Sequence, residues 1–558
     1  MNDSLLRNAN SLLQLGRRPE ALSYYESYLK AHPDSAEGWH NLGVTLSQMK
    51  RHLEAIASFD RVLSLRPDSA QTWSNRGNAL LEQKRFEEAC NDYDKALGID
   101  PDIPNVRGYR LLAKLSCCEW RDLEEEEREK IAAGIRAGKR VIQPFGNLMI
   151  SRDPADQMQC ARIWTSRQKI PLPLWQGERY EHEKIRVSYI SGDFRVHPVA
   201  TLIAGAFEHH DKDRFQTIAV SFGPDDRSRL RSRIASSVDQ FIDVRGKDDF
   251  QIASLLREME IDIAVDLMGL TGDCRNEILL HRPAPVQVNY LGFPGTMAMS
   301  EIDYLIADRT VIPEDERDCY AEKIVYLPDT YMASDSQRRI GERTFTRGEV
   351  GLPETGFVFA SFNNTFKFTP EIFTIWMRLL SAVDGSVLWL SEPDAVAVRN
   401  LKREAEARGV NADRLVFAPY LASIDEHLAR SSLADLFLDT LPCNAHTTAS
   451  DALWVGVPVI TARGTTFAGR VAPSLLQAID LDELISNSLF EYESLALRLA
   501  RDPDALARIK RKLKQNRETH PLFDTARFTR NLERAFTAMC ERARRGAPPE
   551  SFAVENTS

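Results

Sequence analysis

The sequence predicts an α-solenoid followed by two lobes of doubly wound parallel sheet. Three observations carry this prediction. A 34-residue period runs through the first hundred or so residues. From about Lys184 the pattern changes to short apolar runs that alternate with helical stretches. The 558 residues leave room for three or four units at about 150 residues each, so large cores need no disulfide or metal staples.

The period is visible in several columns at once. Pro33, Pro67 and Pro101 are in phase, as are Ala21, Ala55 and Ala89, and Leu29, Leu63 and Leu97. Tyr25, Phe59 and Tyr93 form an aromatic column, and Trp39/Trp73, Asn41/Asn75 and Gly43/Gly77 also match. Each unit reads as two amphipathic helices, with small residues where the helices touch and a proline ending the second. A fourth unit would place an aromatic at 107 and a small residue at 111. The chain has Arg107 and Leu111, so the repeats are expected over 1–104. Residues 105–183 read as a helical connector packing on the α/β region, and the charged run Glu124–Lys130 as a solvated helix face. Three repeats form a short groove. It reads as a peptide- or protein-binding surface, with a structural extension or a dimer surface as the alternative.

In the α/β region the expected strands are Ile185–Ile190, Gln216–Ser221, Ile263–Leu267 and Val286–Tyr290. After a break come Phe357–Ser361, Ser386–Leu390, Leu415–Ala418, Leu436–Leu438 and Val457–Thr461. Helices fit between them at Pro370–Val383, Asp394–Arg408 and Thr448–Val455. The region is too long for one ordinary sheet. Two lobes are expected, 184–345 and 346–545, with a flexible tail over 546–558. Ligands bind outside the carboxyl ends of such strands, which puts a site in the cleft between the lobes.

Composition excludes several classes. Net charge is −10, from 71 basic and 81 acidic residues, and the pI is about 5.7. A nucleic-acid binder held by a broad basic surface is therefore not expected. Hydrophobic residues make up 43% and charged residues 27% of the chain, with a mean hydropathy of −0.34. No apolar run approaches the ~18 residues of a membrane span. The start, Met1-Asn2-Asp3-Ser4, shows no signal-peptide pattern. Eight cysteines without a CxxC pair form neither a disulfide framework nor a zinc site, so a reducing, cytoplasmic location is expected. Neither a GxxxxGK[ST] loop nor a GxGxxG after a strand is present, which weakens ATPase and dinucleotide-oxidoreductase readings.

The loops after the strands are polar. Ser191-Gly192-Asp193-Phe194-Arg195-Val196-His197-Pro198 follows the first strand, and Phe362-Asn363-Asn364-Thr365-Phe366-Lys367 a later one. Pro442-Cys443-Asn444-Ala445-His446-Thr447-Thr448 runs into a helix. Thr447 and Thr448 at that helix N-terminus suit a phosphate, with a simple N-cap as the alternative.

With these residues in hand, the chain resembles the O-linked N-acetylglucosamine transferases, in which tetratricopeptide repeats precede a GT-B region of two Rossmann-like lobes (glycosyltransferase family 41). The stretches that carry the resemblance are His197-Pro198; Arg282-Pro283-Ala284-Pro285-Val286-Gln287 with Leu291-Gly292-Phe293-Pro294-Gly295-Thr296; Phe362–Lys367; and Cys443–Asp451. The resemblance implies an inverting, metal-independent transfer of N-acetylglucosamine from UDP-GlcNAc to Ser/Thr hydroxyls of protein acceptors, with no other cofactor. It implies that Lys367 contacts the donor diphosphate, with Asn364 near the phosphates where animal enzymes have glutamine. His446, Thr447 and Thr448 match the phosphate turn, and Asp451 the ribose-holding carboxylate. Ala422, Ser423, Ile424, His427, Leu428, Ala429 and Arg430 match the uridine segment, with His427 stacked on the base. Ile424 departs from the lysine of animal enzymes. Pro294, Gly295 and Thr296 are expected near the donor, and His197 matches a histidine that acts as base or orients sugar or acceptor. The long insertion between the lobes of animal enzymes is missing, and the repeats are fewer.

The chemistry agrees with the assignment. Departure of UDP puts negative charge on the β-phosphate, which Lys367 and the Thr447/Thr448 helix end would stabilise. His197 is the candidate to take the acceptor proton. Alternatives kept open are another donor, GDP-fucose or UDP-glucose, and a non-catalytic repeat scaffold. Oligomeric state, including a homodimer, is not fixed by these residues.

Overall fold

The 34-residue units fold as helix pairs for reasons written in the repeat. The helices are Asn2–Gln14, Arg18–Ala31, Ala36–Gln48, His52–Leu65, Ala70–Glu82 and Phe86–Ile99. Ser35 and Ser69 cap two of them, each hydroxyl accepting a first-turn amide of its helix. The Trp39 and Trp73 indoles each donate to the carbonyl of the preceding proline, Pro33 or Pro67, at 2.8 Å. The glycine column is steric in origin. A Cβ on Gly43 would sit 2.6 Å from the Phe59 ring, and one on Gly77 would sit 2.6 Å from the Tyr93 ring. Arg51–Glu54 and Arg85–Glu88 form fork-like pairs at the same phase.

The computed structural model describes residues 2–121 and 125–555. Contacts divide the chain into two units. The helical unit holds the repeats, the helices Val106–Ser116 and Glu125–Arg136, and the chain up to Gly146, together with Asn364–Phe366 and Pro393–Arg403. Thr365 donates to the Ser116 carbonyl at 2.6 Å and Asn400 to the Cys117 carbonyl at 2.8 Å. The expected connector therefore divides at Gly146, its second half belonging to the other unit. Of the charged run Glu124–Lys130, Glu124 and the side chains of residues 125–127 lie outside the described residues.

The second unit contains two parallel sheets. The first combines β1 (Ile185–Ser191), β2 (Phe215–Ser221), β3 (Gln240–Asp243), β4 (Ile263–Asp266), β5 (Val286–Asn289), β6 (Tyr304–Ala307) and β7 (Lys323–Tyr326). The second combines β8 (Val358–Ser361), β9 (Val387–Ser391), β10 (Leu415–Ala418), β11 (Leu436–Leu438), β12 (Val459–Ala462) and β13 (Ile485–Ser486). Strand orders are β7-β6-β5-β4-β1-β2-β3 and β10-β9-β8-β11-β12-β13. Every strand expected from the apolar runs forms, because a strand covered on both faces reads as an unbroken apolar stretch. The additional strands β3, β6, β7 and β13 were not expected; they are short, and two of them start or end on a charged residue.

Each sheet reverses its winding once, between β1 and β4 and between β8 and β11. A crevice opens at such switch points. His197 follows β1, Lys367 follows β8, and the His446 turn follows β11.

The end of the second lobe expected at 545 and the tail expected at 546–558 both need correction. Helix Thr525–Arg544 leaves the second lobe and packs on helix Pro198–His209 of the first. Buried Glu533 accepts from His210 at 3.0 Å and from the Asp211 amide at 2.7 Å. Beyond it, β14 (Phe552–Ala553) pairs with β7 as an edge strand of the first sheet. Residues 525–555 thus complete the first lobe; residues 556–558 lie outside the described residues.

Tyr93 is fully buried under Gly77, and its hydroxyl donates to Asn78 at 2.8 Å. Tyr93→Ala is expected to lower the stability of the helical unit by about 3–5 kcal/mol, the range for truncating a large buried ring. Urea denaturation followed by circular dichroism measures it, and a change under about 1 kcal/mol contradicts the packing described.

Candidate active site

The turn after β11 is built around one carboxylate. Asp439 is 2% exposed. Its Oδ1 accepts the Thr440 amide at 2.7 Å and the Ala445 amide at 2.5 Å, and its Oδ2 accepts the Thr461 hydroxyl at 2.6 Å. Between those amides the chain passes through a cis Leu441–Pro442 peptide. Burial pushes the Asp439 carboxyl up to about 7 against these bonds and the Lys367 charge. The Lys367 ammonium donates to the Asn444 carbonyl at 2.6 Å, so its charge sits on the turn.

Helix Thr447–Trp454 begins where the turn ends. His446 is its N-cap residue and offers no side-chain cap. The first bonds to its carbonyl come from Ala449 and Ser450, which leaves the Thr447 and Thr448 amides open at the helix end. Thr448 donates its hydroxyl to buried Asn363 at 2.6 Å, and Asn363 donates to Thr440 at 3.2 Å. The loops after β8 and β11 are thereby tied together. His446 lies 3.1 Å from the Ala468 carbonyl, and burial with the nearby Lys367 charge pushes its imidazole down to about 3. A neutral histidine, an ammonium and open amides at one helix end form a site suited to an anion.

His427, Phe362, Thr448 and Asp451 line one small cavity beside this turn. The Phe362 ring meets His427 edge-on at 5.4 Å, and Arg430 approaches His427 Nδ1 at 3.1 Å. Burial, reinforced by Arg430, pushes the His427 imidazole down to about 4. Arg430 is itself anchored on the Pro419 carbonyl at 2.7 Å. Asp451 receives Arg338 Nη1 at 2.5 Å, an interaction absent from the sequence expectations.

Ser423 caps helix Ile424–Ser431 by accepting the Glu426 amide, while Ala422 and Ile424 are exposed beside it. Leu428 and Ala429 face the core and offer no polar group. Pro294, Gly295 and Thr296 are buried. The Thr296 hydroxyl donates to buried Glu322 at 2.6 Å. Asn364 belongs to the helical unit.

His197 caps helix Pro198–His209. Its Nδ1 lies 3.4 Å from the Val199 amide and 3.4 Å from Asp193 Oδ2. Asp226 holds the loop by accepting the Val196 amide at 2.7 Å. Burial lowers the His197 pKa, Asp193 opposes this and Arg195 adds to it. A neutral imidazole that gives up the Val199 cap and turns an Nδ1 proton toward Asp193 leaves Nε2 free to accept a proton.

Asp439, Asn363 and Arg338 were not singled out from the sequence. For Asp439 a signal existed, an acid placed directly after an apolar strand run. For Arg338 none did, since it reads as part of a charged connector.

Two parallel-sheet lobes with an anion-suited turn at the switch point of the second, preceded by helical repeats, define the two-lobe glycosyltransferase class. The chain belongs to glycosyl transferase family 41, whose model matches residues 160–344 and 341–532; tetratricopeptide-repeat models match 6–70 and 70–103. A relative from Arabidopsis thaliana, named as a probable UDP-N-acetylglucosamine–peptide N-acetylglucosaminyltransferase, is 34% identical over 472 residues, 80% of this chain and 48% of the relative. A Caenorhabditis elegans UDP-N-acetylglucosamine–peptide N-acetylglucosaminyltransferase is 25% identical, over 77% of this chain and 48% of its own. This chain spans about half the length of these curated relatives. The solved structure of an O-GlcNAc transferase from Thermobaculum terrenum, a lysine-to-methionine variant, matches with a TM-score of 0.71 at 27% identity, covering 98% of both chains.

In an unfolded chain a histidine takes up its proton near pH 6.5. His427 in the folded protein stays neutral down to about 4. Between those values the unfolded state binds more protons, so the stability that His427 contributes falls as the pH drops. The stability difference between the protein and His427→Gln is expected to shrink from pH 7 to pH 4.5, as read from urea midpoints. A difference constant over that range would mean an unperturbed histidine.

Proposed function

We propose that this chain is an inverting glycosyltransferase that moves N-acetylglucosamine from UDP-GlcNAc to Ser/Thr hydroxyls of protein acceptors. The observation that carries the reading is the turn at the β8/β11 switch point, where Lys367 and the open Thr447 and Thr448 amides gather. That combination suits a diphosphate that gains charge as the glycosidic bond lengthens. In this reading His427 packs against the uracil, Asp451 accepts from the ribose hydroxyls, and Asn364 lies near the phosphates. His197, backed by Asp193, takes the acceptor proton on the face opposite the departing UDP. The tetratricopeptide groove presents the acceptor protein. The names of the family 41 relatives support the choice of donor.

The diphosphate charge is assigned to protein groups, so chelation with EDTA is expected to leave turnover unchanged. Among the described residues no group of three or more His, Cys, Asp or Glu is placed to hold a metal. No helix among them is long and apolar enough to cross a membrane. None of the eight cysteines is joined in a disulfide, which fits a reducing compartment, and we assign the chain to the cytoplasm.

Incubation with UDP-GlcNAc, UDP-glucose and GDP-fucose in turn, with host lysate as acceptor and mass spectrometry as readout, tests the donor. Modification only with GDP-fucose overturns the UDP-GlcNAc assignment. Lys367→Met is expected to lower kcat by about 10²–10³ with a smaller loss of donor affinity, as for removal of one oxyanion donor. Near-normal turnover at saturating donor sinks the catalytic role. His427→Ala should weaken UDP binding about tenfold, by analogy with base stacking on aromatic side chains; unchanged calorimetric affinity retires that contact.

A further inference from the structure

Arg338 lies in the connector between the lobes and is 8% exposed. Its bonds run to both sides. Nη1 donates to Asp451 Oδ1 at 2.5 Å, Nη2 to the Ser450 hydroxyl at 3.0 Å, and Nε to the Asp335 carbonyl at 3.2 Å. Its guanidinium sits 5.4 Å from the Trp454 ring and 5.9 Å from the Phe523 ring, so the side chain is held from its faces as well as its edge.

The anchor continues into the first lobe. Asp335 is 1% exposed and receives Arg233 at 2.5 and 3.1 Å. Arg233 in turn holds Glu208 at 2.7 and 2.8 Å. Glu208 lies on helix Pro198–His209, the helix that His197 caps. Gly205 lets this helix approach, since a Cβ there would sit 2.7 Å from Asp335 Oδ1. Arg338 is therefore fixed by groups that do not touch the nucleotide cavity, and it spends its fork on the two residues before Ala452 in that cavity's wall.

Only one oxygen of Asp451 is used. Oδ2 has no protein donor among the described residues, and Asp451 lines the cavity with His427 and Thr448. We propose that Arg338 is a positioning residue that holds the Asp451 carboxylate by one oxygen and turns the other toward the ribose hydroxyls of the bound nucleoside diphosphate. This rests on the reading that Asp451 is the ribose-binding group. Without Arg338, burial favours a protonated or rotated carboxyl that recognises the ribose poorly.

The test compares UDP with 2′,3′-dideoxy-UDP by calorimetry on the full chain. The native protein is expected to prefer UDP by about tenfold or more, the value of charge-assisted hydroxyl bonds. Asp451→Asn should reduce that ratio sharply. Arg338→Met should reduce it equally while leaving dideoxy-UDP affinity within about threefold of native, and Arg338→Lys should recover part of it. A native ratio in Asp451→Asn removes the ribose reading, and the proposal with it, before Arg338 is touched. A native ratio in Arg338→Met, with Asp451→Asn impaired, overturns the role of Arg338 alone. Where Arg338→Met fails to fold, the Arg338→Met/Asp451→Asn double variant carries no uncompensated buried charge. Both its affinities should match Asp451→Asn alone; a further loss of dideoxy-UDP affinity would show Arg338 acting on the fold at large and overturn the proposal.

Discussion

The Asp439 carboxylate, buried at the end of β11, collects two backbone amides and a threonine hydroxyl. A charge in that position is costly unless its lone pairs are filled, and filling them fixes the path of the chain from Thr440 to Ala445. That path decides where the Asn444 carbonyl receives Lys367 and where helix Thr447–Trp454 starts. It also sets Thr440 against Asn363, which in turn receives Thr448. The loops after β8 and β11 are thus one hydrogen-bonded body around a buried acid, and the anion-suited helix end is its outer surface.

Polar contacts join the two lobes. Arg470 forms a double bond pair with Glu316 at 2.7 Å, and Ser474 donates to buried Asp308 at 2.6 Å. Arg338 adds its fork on Asp451 and Ser450. Buried ionic and hydrogen-bonded pairs contribute little net stability, but they tolerate few alternative geometries, because a misplaced partner leaves a desolvated charge. Such contacts favour one relative placement of the sheets. The return of helix Thr525–Arg544 and of β14 to the first lobe adds a covalent route to the same end.

Two histidines at the second sheet are kept neutral by burial next to cations, His446 beside Lys367 and His427 beside Arg430. Neither competes with those cations for a negative ligand, and each ring keeps its face and its hydrogen-bonding capacity. His197 differs, because Asp193 partly restores its affinity for a proton. Environment, not residue type, separates a proton-transfer candidate from two packing groups.

The sequence by itself determined the repeats, the parallel strands and the polar loops at their carboxyl ends. These are local facts: a glycine facing a ring, a proline ending a helix, an apolar run covered on both faces. The same local reading marked Lys367, His446, Thr447 and Thr448, because they sit in loops directly attached to predicted strands or helices; His427 was implied by the family resemblance alone. The local reading erred where a residue's role depends on partners far along the chain. Phe552 pairs with β7 instead of trailing in a tail. Arg338 read as connector charge until the fold brought it across 113 positions to Asp451. Only the tertiary structure decides such matters, because burial and pairing are properties of who arrives opposite, and one-dimensional spacing carries no record of that.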